Sequence, residues 1–136
     1  MTAVLDASVL VELLMMSPLG RLAVPQVQAA AGDLHIPHLA DTETLSVLRG
    51  LVVGGVVSSA RAEQALSDLS DLPVRRWPAL PLFERVWQLR ANATAYDATY
   101  VALAEVLGAR LVTADERLVR GMQGLAHCEL VLIRSE

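Results

Sequence analysis

Short apolar runs alternate with longer amphipathic stretches along the whole chain. The short runs have the length of buried strands, and in the stretches between them apolar residues recur every three or four positions, which is the period of a helix. The pattern predicts strands at 2–5, 34–36, 73–77, 110–113 and 129–133, and helices at 8–15, 19–31, 39–53, 58–69, 80–90, 96–107 and directly after Asp115. Such alternation predicts an α/β fold, a three-layer α/β/α sandwich with a mainly parallel central sheet.

Glycine, proline and serine mark several of these boundaries. Gly54 and Gly55 follow the third predicted helix and Gly108 follows the sixth, as helix-terminating glycines do. Pro37 closes the second predicted strand, and Ser58 or Ser59 is placed to cap the fourth helix. No repeat or linker interrupts the pattern, so we expect residues 1–136 to form a single domain.

Apolar residues make up 54% of the chain, but they are not contiguous enough to suggest a membrane span. The uncharged stretch 22–32 contains proline and glutamine and is well short of the ~20 residues that cross a bilayer. The first residues reach a carboxylate, Asp6, without a basic leader, so we expect no signal peptide and a cytoplasmic location without membrane association.

So apolar a composition, with only 19% charged residues, predicts apolar surface that a partner protein covers. Cys128 is the only cysteine, which excludes an internal disulfide and a cysteine-based zinc site.

Four acidic residues occupy positions from which they can meet. Asp6 follows the first predicted strand and Asp115 follows a later one, and ligands of parallel sheets bind beyond the carboxyl ends of the strands. Asp97 opens an apolar helix, and Glu43 lies one turn inside another. Any one of these acids alone is explained as a helix cap or a solvated helix residue. Together they predict a cation site, because clustered carboxylates repel one another without a counter-ion.

The net charge of −4 argues against a nucleic-acid substrate, since nucleic-acid-binding proteins usually present a basic face. That objection weakens if the acids hold divalent cations, which invert the local field and attract phosphate.

Several polar residues near these acids could also belong to the site. Asp41 lies two positions before Glu43, about 200° around a helix, so only one of the two can face the site. The spacing alone does not decide between them. Glu116 can contribute beside Asp115 or face solvent. His35 and His38 are not expected to bind metal, because proline and a strand end separate them.

Several α/β families are excluded by missing residues. The chain has no lysine, which phospho-acceptor receiver domains and P-loop proteins both require. Haloacid-dehalogenase-like phosphatases need Asp-x-Asp after the first strand, where this chain has Ser8. No G-x-G-x-x-G is present for a dinucleotide.

Four segments resemble PIN domains in order and spacing, over nearly the whole chain. VLDAS at 4–8 resembles the opening strand with its aspartate, and PHLADTE at 37–43 with VLR at 47–49 looks like the glutamate-bearing helix. YDATYVALA at 96–104 and LVTAD at 111–115 resemble the third and fourth signatures. Chain length and the R-x-N at 90–92 look most like the VapC toxins of VapBC toxin–antitoxin pairs.

The resemblance implies a metal-dependent endoribonuclease. Asp6, Glu43, Asp97 and Asp115 would be both the metal ligands and the catalytic groups, binding one or two Mg²⁺ or Mn²⁺ ions, and cleavage would leave a 5′-phosphate and a 3′-hydroxyl. Ser8 and Thr113 would support the acids. The family pattern also favours Glu43 over Asp41, which would be a helix N-terminal acid. Arg90 and Asn92 would border the pocket, or be plain surface residues.

The resemblance also implies a VapB-type antitoxin that lies across the site, and a homodimer or a toxin–antitoxin hetero-oligomer. Two alternatives stay open. A catalytically silent PIN-like module would bind a partner only, but its mark is a missing acid and none is missing here. A DNA-directed nuclease is the other, although this chain lacks the insertions that such relatives carry.

Overall fold

A computed structural model describes residues 1–135. Its five strands form one sheet in the order β3-β2-β1-β4-β5, and every described pairing is parallel. The strands are β1 (Ala3–Leu5), β2 (Leu34–Pro37), β3 (Arg75–Trp77), β4 (Arg110–Thr113) and β5 (Leu130–Leu132). The predicted parallel α/β fold is confirmed.

Seven α-helices connect these strands: α1 (Ala7–Leu14), α2 (Pro18–Ala29), α3 (His38–Val53), α4 (Ser59–Asp71), α5 (Phe83–Gln88), α6 (Ala95–Leu107) and α7 (Glu116–Met122). Side-chain caps begin most of them. Ser17 accepts a hydrogen bond from the Gly20 N–H, Ser58 from Arg61, and Thr94 from Asp97. Gly108, in the left-handed region at φ 62°, ends α6 as its position predicts.

The predicted helix at 80–90 is wrong as one continuous element. A 3₁₀ turn at Leu80–Leu82 precedes α5, which ends at Gln88. Pro81 has no N–H to donate, which favours a short turn before the α-helix begins. The predicted apolar side is nevertheless present, because Leu82 and Leu89 are buried.

The chain changes direction at β1, and this change positions the site. From β1 it moves outward through β2 to β3, then returns to the opposite side of β1 as β4 and continues to β5. Right-handed crossovers put α1–α4 on one face and α5–α7 on the other. The carboxyl ends of β1 and β4 thus adjoin at the point where the order reverses, which is where open parallel sheets form a crevice.

The core lies on both faces of the sheet. Residues of β1, β2 and β4 such as Val4, Ile36 and Leu111 are fully buried, and the helix faces pack onto them. A smaller cluster joins α1, α3 and α4 around Leu14 and Leu48. Leu45 falls at helical spacing from the buried Leu48, yet it is 49% exposed.

Helices α1 and α2 cross at close range. A Cβ built on Gly20 would lie 2.1 Å from the carbonyl oxygen of Glu12, so only glycine fits at this crossing. No single helix in residues 1–135 is long and apolar enough to cross a membrane; α1 and α2 together reach that length and composition, but they are bent by 108° at the turn between them.

Candidate active site

The four predicted acids line one pocket of about 260 Å³ at the carboxyl edge of the sheet. Asp6 comes from the end of β1 and Asp115 from the loop after β4, while Glu43 projects from α3 and Asp97 from the first turn of α6. The other residues around the pocket are Ala7, Ser8, Ser46, Val47 and Tyr100. Helices from both faces of the sheet therefore contribute to a site between β1 and β4.

Asp6 is the deepest of the four, with 4% of its surface exposed. Its Oδ1 accepts hydrogen bonds from the Ser8 hydroxyl (2.6 Å) and the Val9 N–H (3.1 Å), which also caps α1. Its Oδ2 accepts one from the Thr113 hydroxyl at 2.5 Å. Burial raises the pKa of Asp6 from 3.8 to about 6 despite these hydrogen bonds, and the nearby charge of Asp115 adds to the increase.

Ser8 and Thr113 join the ends of the two central strands. The Ser8 hydroxyl accepts a hydrogen bond from the Ala114 N–H (2.9 Å), and the Thr113 hydroxyl accepts one from the Asp115 N–H (3.0 Å). Each hydroxyl thus contacts both the Asp6 carboxylate and the backbone of the loop that carries Asp115. These contacts fix the relative positions of two of the four acids.

Glu43 is held by a residue to which the sequence pattern assigned no role. The Tyr100 hydroxyl donates to Glu43 Oε1 at 2.5 Å, and the Tyr100 side chain is buried. Burial and the neighbouring carboxylate raise the pKa of Tyr100 well above its usual value, so the phenol stays protonated and donates. Its spacing was the available signal, because Tyr100 follows Asp97 by three positions and shares its helix face.

Asp97 and Asp115 complete the pocket. Asp97 is half-buried, and its pKa is raised by burial and by the charges of Asp115 and Glu43, while Arg117 acts in the opposite direction. Asp115 caps α7 by accepting from the N–H groups of Arg117 (2.9 Å) and Leu118 (3.3 Å). The helix-cap explanation is therefore correct for Asp6 and Asp115, and both also face the pocket.

The pocket carries negative charge that residues 1–135 do not neutralise by pairing. None of the salt bridges in this part of the chain involves Asp6, Glu43, Asp97 or Asp115. No three acidic, histidine or cysteine side chains among the same residues lie close enough together to hold a metal ion as they stand. The carboxylates thus surround a common space without converging on one point in it.

Asp41 and Glu116 lie outside this arrangement. Asp41 accepts two hydrogen bonds from the Arg76 guanidinium, at 2.7 and 3.1 Å, while Glu43 two positions later faces the pocket as expected. Glu116 is exposed and loosely paired with Arg134 at 3.8 Å.

Arg90 and Asn92 are not brought into the pocket. The Arg90 guanidinium stacks on Trp87 and donates to its carbonyl oxygen, and Asn92 is exposed. His35 and His38 have different surroundings. His35 on β2 lies between Asp33 and the indole of Trp77, whereas His38 is exposed at the start of α3.

Comparison with known proteins adds independent information. The family model described as PIN domain matches residues 3–121. Ribonuclease VapC9 of Mycobacterium tuberculosis is 47% identical over 104 residues, which are 76% of this chain and 80% of the relative. Ribonuclease VapC12 of the same species is 38% identical over 128 residues, covering 94% of this chain and 98% of the relative.

Solved structures share the fold at lower identity. The crystal structure of VapBC2 from Rickettsia felis, bound to a DNA fragment from their promoter, superposes with a TM-score of 0.71 at 12% identity. The match covers 98% of this chain and all of that one. The family model and the two relatives identify the family, which a shared fold alone does not. The chain belongs to the PIN domain family and, within it, to the VapC ribonucleases.

Proposed function

We propose that this protein is a divalent-metal-dependent endoribonuclease and the toxin of a type II toxin–antitoxin pair. The observation that carries the proposal is one pocket at the switch point of a parallel sheet, lined by four carboxylates that make no salt bridge within residues 1–135. The names of its relatives, which are ribonucleases, support RNA as the substrate.

The chemistry of the donor set fits a hard divalent cation. Mg²⁺ and Mn²⁺ prefer carboxylate oxygens, and the pocket offers four carboxylates and no nitrogen or sulfur donor among its described residues. Asp6, Glu43, Asp97 and Asp115 would hold one or two such ions, with flexible side chains turning inward to do so. When bound, the cation supplies Lewis-acid activation of water and of the scissile phosphate.

The chain's own residues hold and orient the acids. Ser8 and Thr113 occupy both oxygens of Asp6, which limits how that carboxylate turns, and Tyr100 does the same for one oxygen of Glu43. Asp97 and Asp115 have no such side-chain donor in the described hydrogen bonds, so we assign them the adjustable positions. Supporting groups of this kind commonly change metal affinity or activity by about 10- to 100-fold when they are removed.

The partner part of the proposal rests on the relatives. VapC proteins form complexes with VapB, as in the Rickettsia structure, and we infer a VapB-type antitoxin for this chain. The exposed side chains of Leu80, Phe83 and Trp87 agree with assembly as a homodimer or a hetero-oligomer. We expect the protein to act in the cytoplasm, where its RNA is.

The test is cleavage of end-labelled cellular RNA by the purified chain in Mg²⁺ and in Mn²⁺. We expect discrete cuts with 5′-phosphate ends that disappear with EDTA and in Asp97→Asn, because the substitution removes a ligand charge but not side-chain volume. Circular dichroism of the variant, unchanged from the parent, serves as the control for folding.

Cleavage by Asp97→Asn at the parental rate would refute the site. Absence of cleavage in both metals would favour a partner-binding module, and cuts in DNA alone would favour the DNA-directed alternative.

A further inference from the structure

A second pocket, of about 520 Å³, adjoins the acidic one and shares Asp115 with it. Three arginines line it, Arg117 and Arg120 from α7 and Arg134 from the segment after β5. We call this pocket the arginine groove. Its position follows from the topology, because β5 neighbours β4 and the segment after it leaves the same carboxyl edge that carries the acids.

The arginines of the groove lie on adjoining surfaces. Arg117 and Arg120 are three positions apart on a helix, so their side chains leave α7 on the same side. Arg134 reaches the groove from the segment that follows the next strand. All three residues are exposed, so their guanidinium groups are available to a ligand in solution.

Most other arginines of the chain are already engaged. Arg76 and Arg85 each make two hydrogen bonds to a carboxylate, and Arg75 and Arg90 stack on tryptophans. Within residues 1–135, Arg117 and Arg120 make no salt bridge and no side-chain hydrogen bond. Among the described residues, Arg134 has only the loose contact with Glu116 at 3.8 Å. The groove therefore concentrates guanidinium groups that the fold does not use.

A nucleic acid that approaches this protein meets a net charge of −4 and four unpaired carboxylates at the site itself. A cationic surface next to the pocket would offset that repulsion over a short distance. Arg117 is close enough to the pocket for its charge to act on Asp97. Asp115 and Glu116 also line the arginine groove, so its three arginines leave a net positive charge beside the acidic pocket.

We propose that the arginine groove binds the phosphate backbone of the RNA strand beside the phosphodiester that is cleaved, with Arg117 and Arg120 as the principal contacts. The guanidinium fork suits phosphate oxygens and carries no base specificity, so the contact would position the strand without selecting its sequence. The inference rests on the proposed function for its biological meaning, and binding can be measured separately from cleavage.

The test uses the non-cleaving Asp97→Asn chain in Mg²⁺ and a fluorescein-labelled oligouridine, with the dissociation constant measured by anisotropy over a range of salt concentrations. Adding Arg117→Gln and Arg120→Gln should weaken binding by about tenfold. The slope of log K against log salt should fall by about 1.4, which is about 0.7 for each phosphate that an arginine no longer neutralises. Adding Arg117→Lys and Arg120→Lys instead should retain the slope, because charge is kept, with some decrease in affinity as the fork is removed.

Arg49→Gln provides the matched control. Arg49 is an exposed arginine of α3 outside the groove. Its replacement removes one positive charge, half the number that the double variant loses. The affinity and the salt slope should therefore stay close to those of the Asp97→Asn chain. Melting temperatures of all variants check that they fold alike. If the double glutamine variant binds oligouridine as tightly as Arg49→Gln does, the proposed role of the groove is refuted. It is also refuted if the Asp97→Asn chain binds no oligouridine. If the Asp97→Asn chain binds through the groove but the unsubstituted chain cleaves no RNA, the proposed function is refuted and the groove still stands.

Discussion

The Asp6 side chain is buried and yet carries a charge when it is ionised. An ionised carboxylate at this depth loses hydration, and three hydrogen bonds replace only part of it, so its pKa remains raised at about 6. Such a group gains most from a nearby cation. The hydroxyls of Ser8 and Thr113 do not neutralise it, but they fix where its oxygens lie.

Tyr100→Phe tests how far the orientation of Glu43 matters. The substitution removes only the hydroxyl that donates to Glu43 and keeps the buried ring, so the fold should persist. Within the proposed mechanism we expect RNA cleavage to fall by about 10- to 100-fold and the Mg²⁺ concentration for half-maximal activity to rise. Initial rates over a Mg²⁺ titration give both quantities.

Tyr96→Phe is the control for that experiment. Tyr96 lies one turn before Tyr100 on the same helix but is 61% exposed, and no described hydrogen bond involves its hydroxyl. Its activity and metal dependence should equal those of the parent. Parental kinetics in Tyr100→Phe would mean that Glu43 needs no such support.

At the scale of elements, the sequence predicted helices and strands well where local chemistry determines them. Caps and terminating glycines are local signals, so Ser58 or Ser59 located the start of α4 and Gly108 located the end of α6 to within a residue. The break between the 3₁₀ turn and α5 was missed because apolar spacing continues across it. Leu45 shares the apolar spacing of the buried Leu48 but is exposed, because the helical period alone does not show how wide the buried face is.

Contacts between distant elements could not be predicted in the same way. The pairing of Arg76 with Asp41, the hydrogen bond from Tyr100 to Glu43 and the position of the arginines after β4 and β5 depend on strand order. The order of the strands cannot be deduced from the pattern of a single sequence. The acids themselves were identifiable because the carboxyl ends of parallel strands always share an edge, whichever strands are neighbours.

Gly20→Ala tests the crossing of α1 and α2. The added methyl would lie 2.1 Å from the backbone oxygen of Glu12, and neither backbone can yield without separating the helices. We expect the free energy of unfolding to fall by about 1–3 kcal/mol or more, measured by urea denaturation.

Gly50→Ala makes the same chemical change in open space. Gly50 lies inside α3 with nothing within 4 Å of the new methyl, so alanine should raise the free energy of unfolding by about 0.5–1 kcal/mol. Equal effects of the two substitutions would mean that the crossing tolerates a side chain.

At the scale of the whole molecule, the acidic pocket couples stability to pH. Because the pKa of Asp6 is about 6 in the folded chain and 3.8 is its ordinary value, the folded chain retains the proton to higher pH. Without divalent cations, this residue therefore makes the protein less stable as pH rises from about 4 to about 6, with no further change above. The difference between the two pKa values corresponds to a decrease of about 3 kcal/mol in the free energy of unfolding.

Asp6→Asn isolates this effect. Urea denaturation of both chains in EDTA between pH 4 and pH 7 should show the variant gaining stability relative to the parent by about 3 kcal/mol as pH rises. Within the proposed mechanism, saturating Mg²⁺ at pH 7 should stabilise the parent and have a smaller effect on the variant, because the ion would bind the ionised carboxylate. A difference between the two chains that does not change with pH would contradict the assignment of the raised pKa to Asp6.

The central position of β1 has a consequence for synthesis. This first strand carries Asp6, yet the hydroxyl that holds Asp6 Oδ2 belongs to a residue 107 positions later, at the end of β4. A ribosome therefore has to release most of the chain before the two halves of the pocket can meet, and closing so long a loop is slow. A nascent or prematurely terminated toxin would be harmless to the RNA around it, and the cell would have that interval in which to supply the antitoxin.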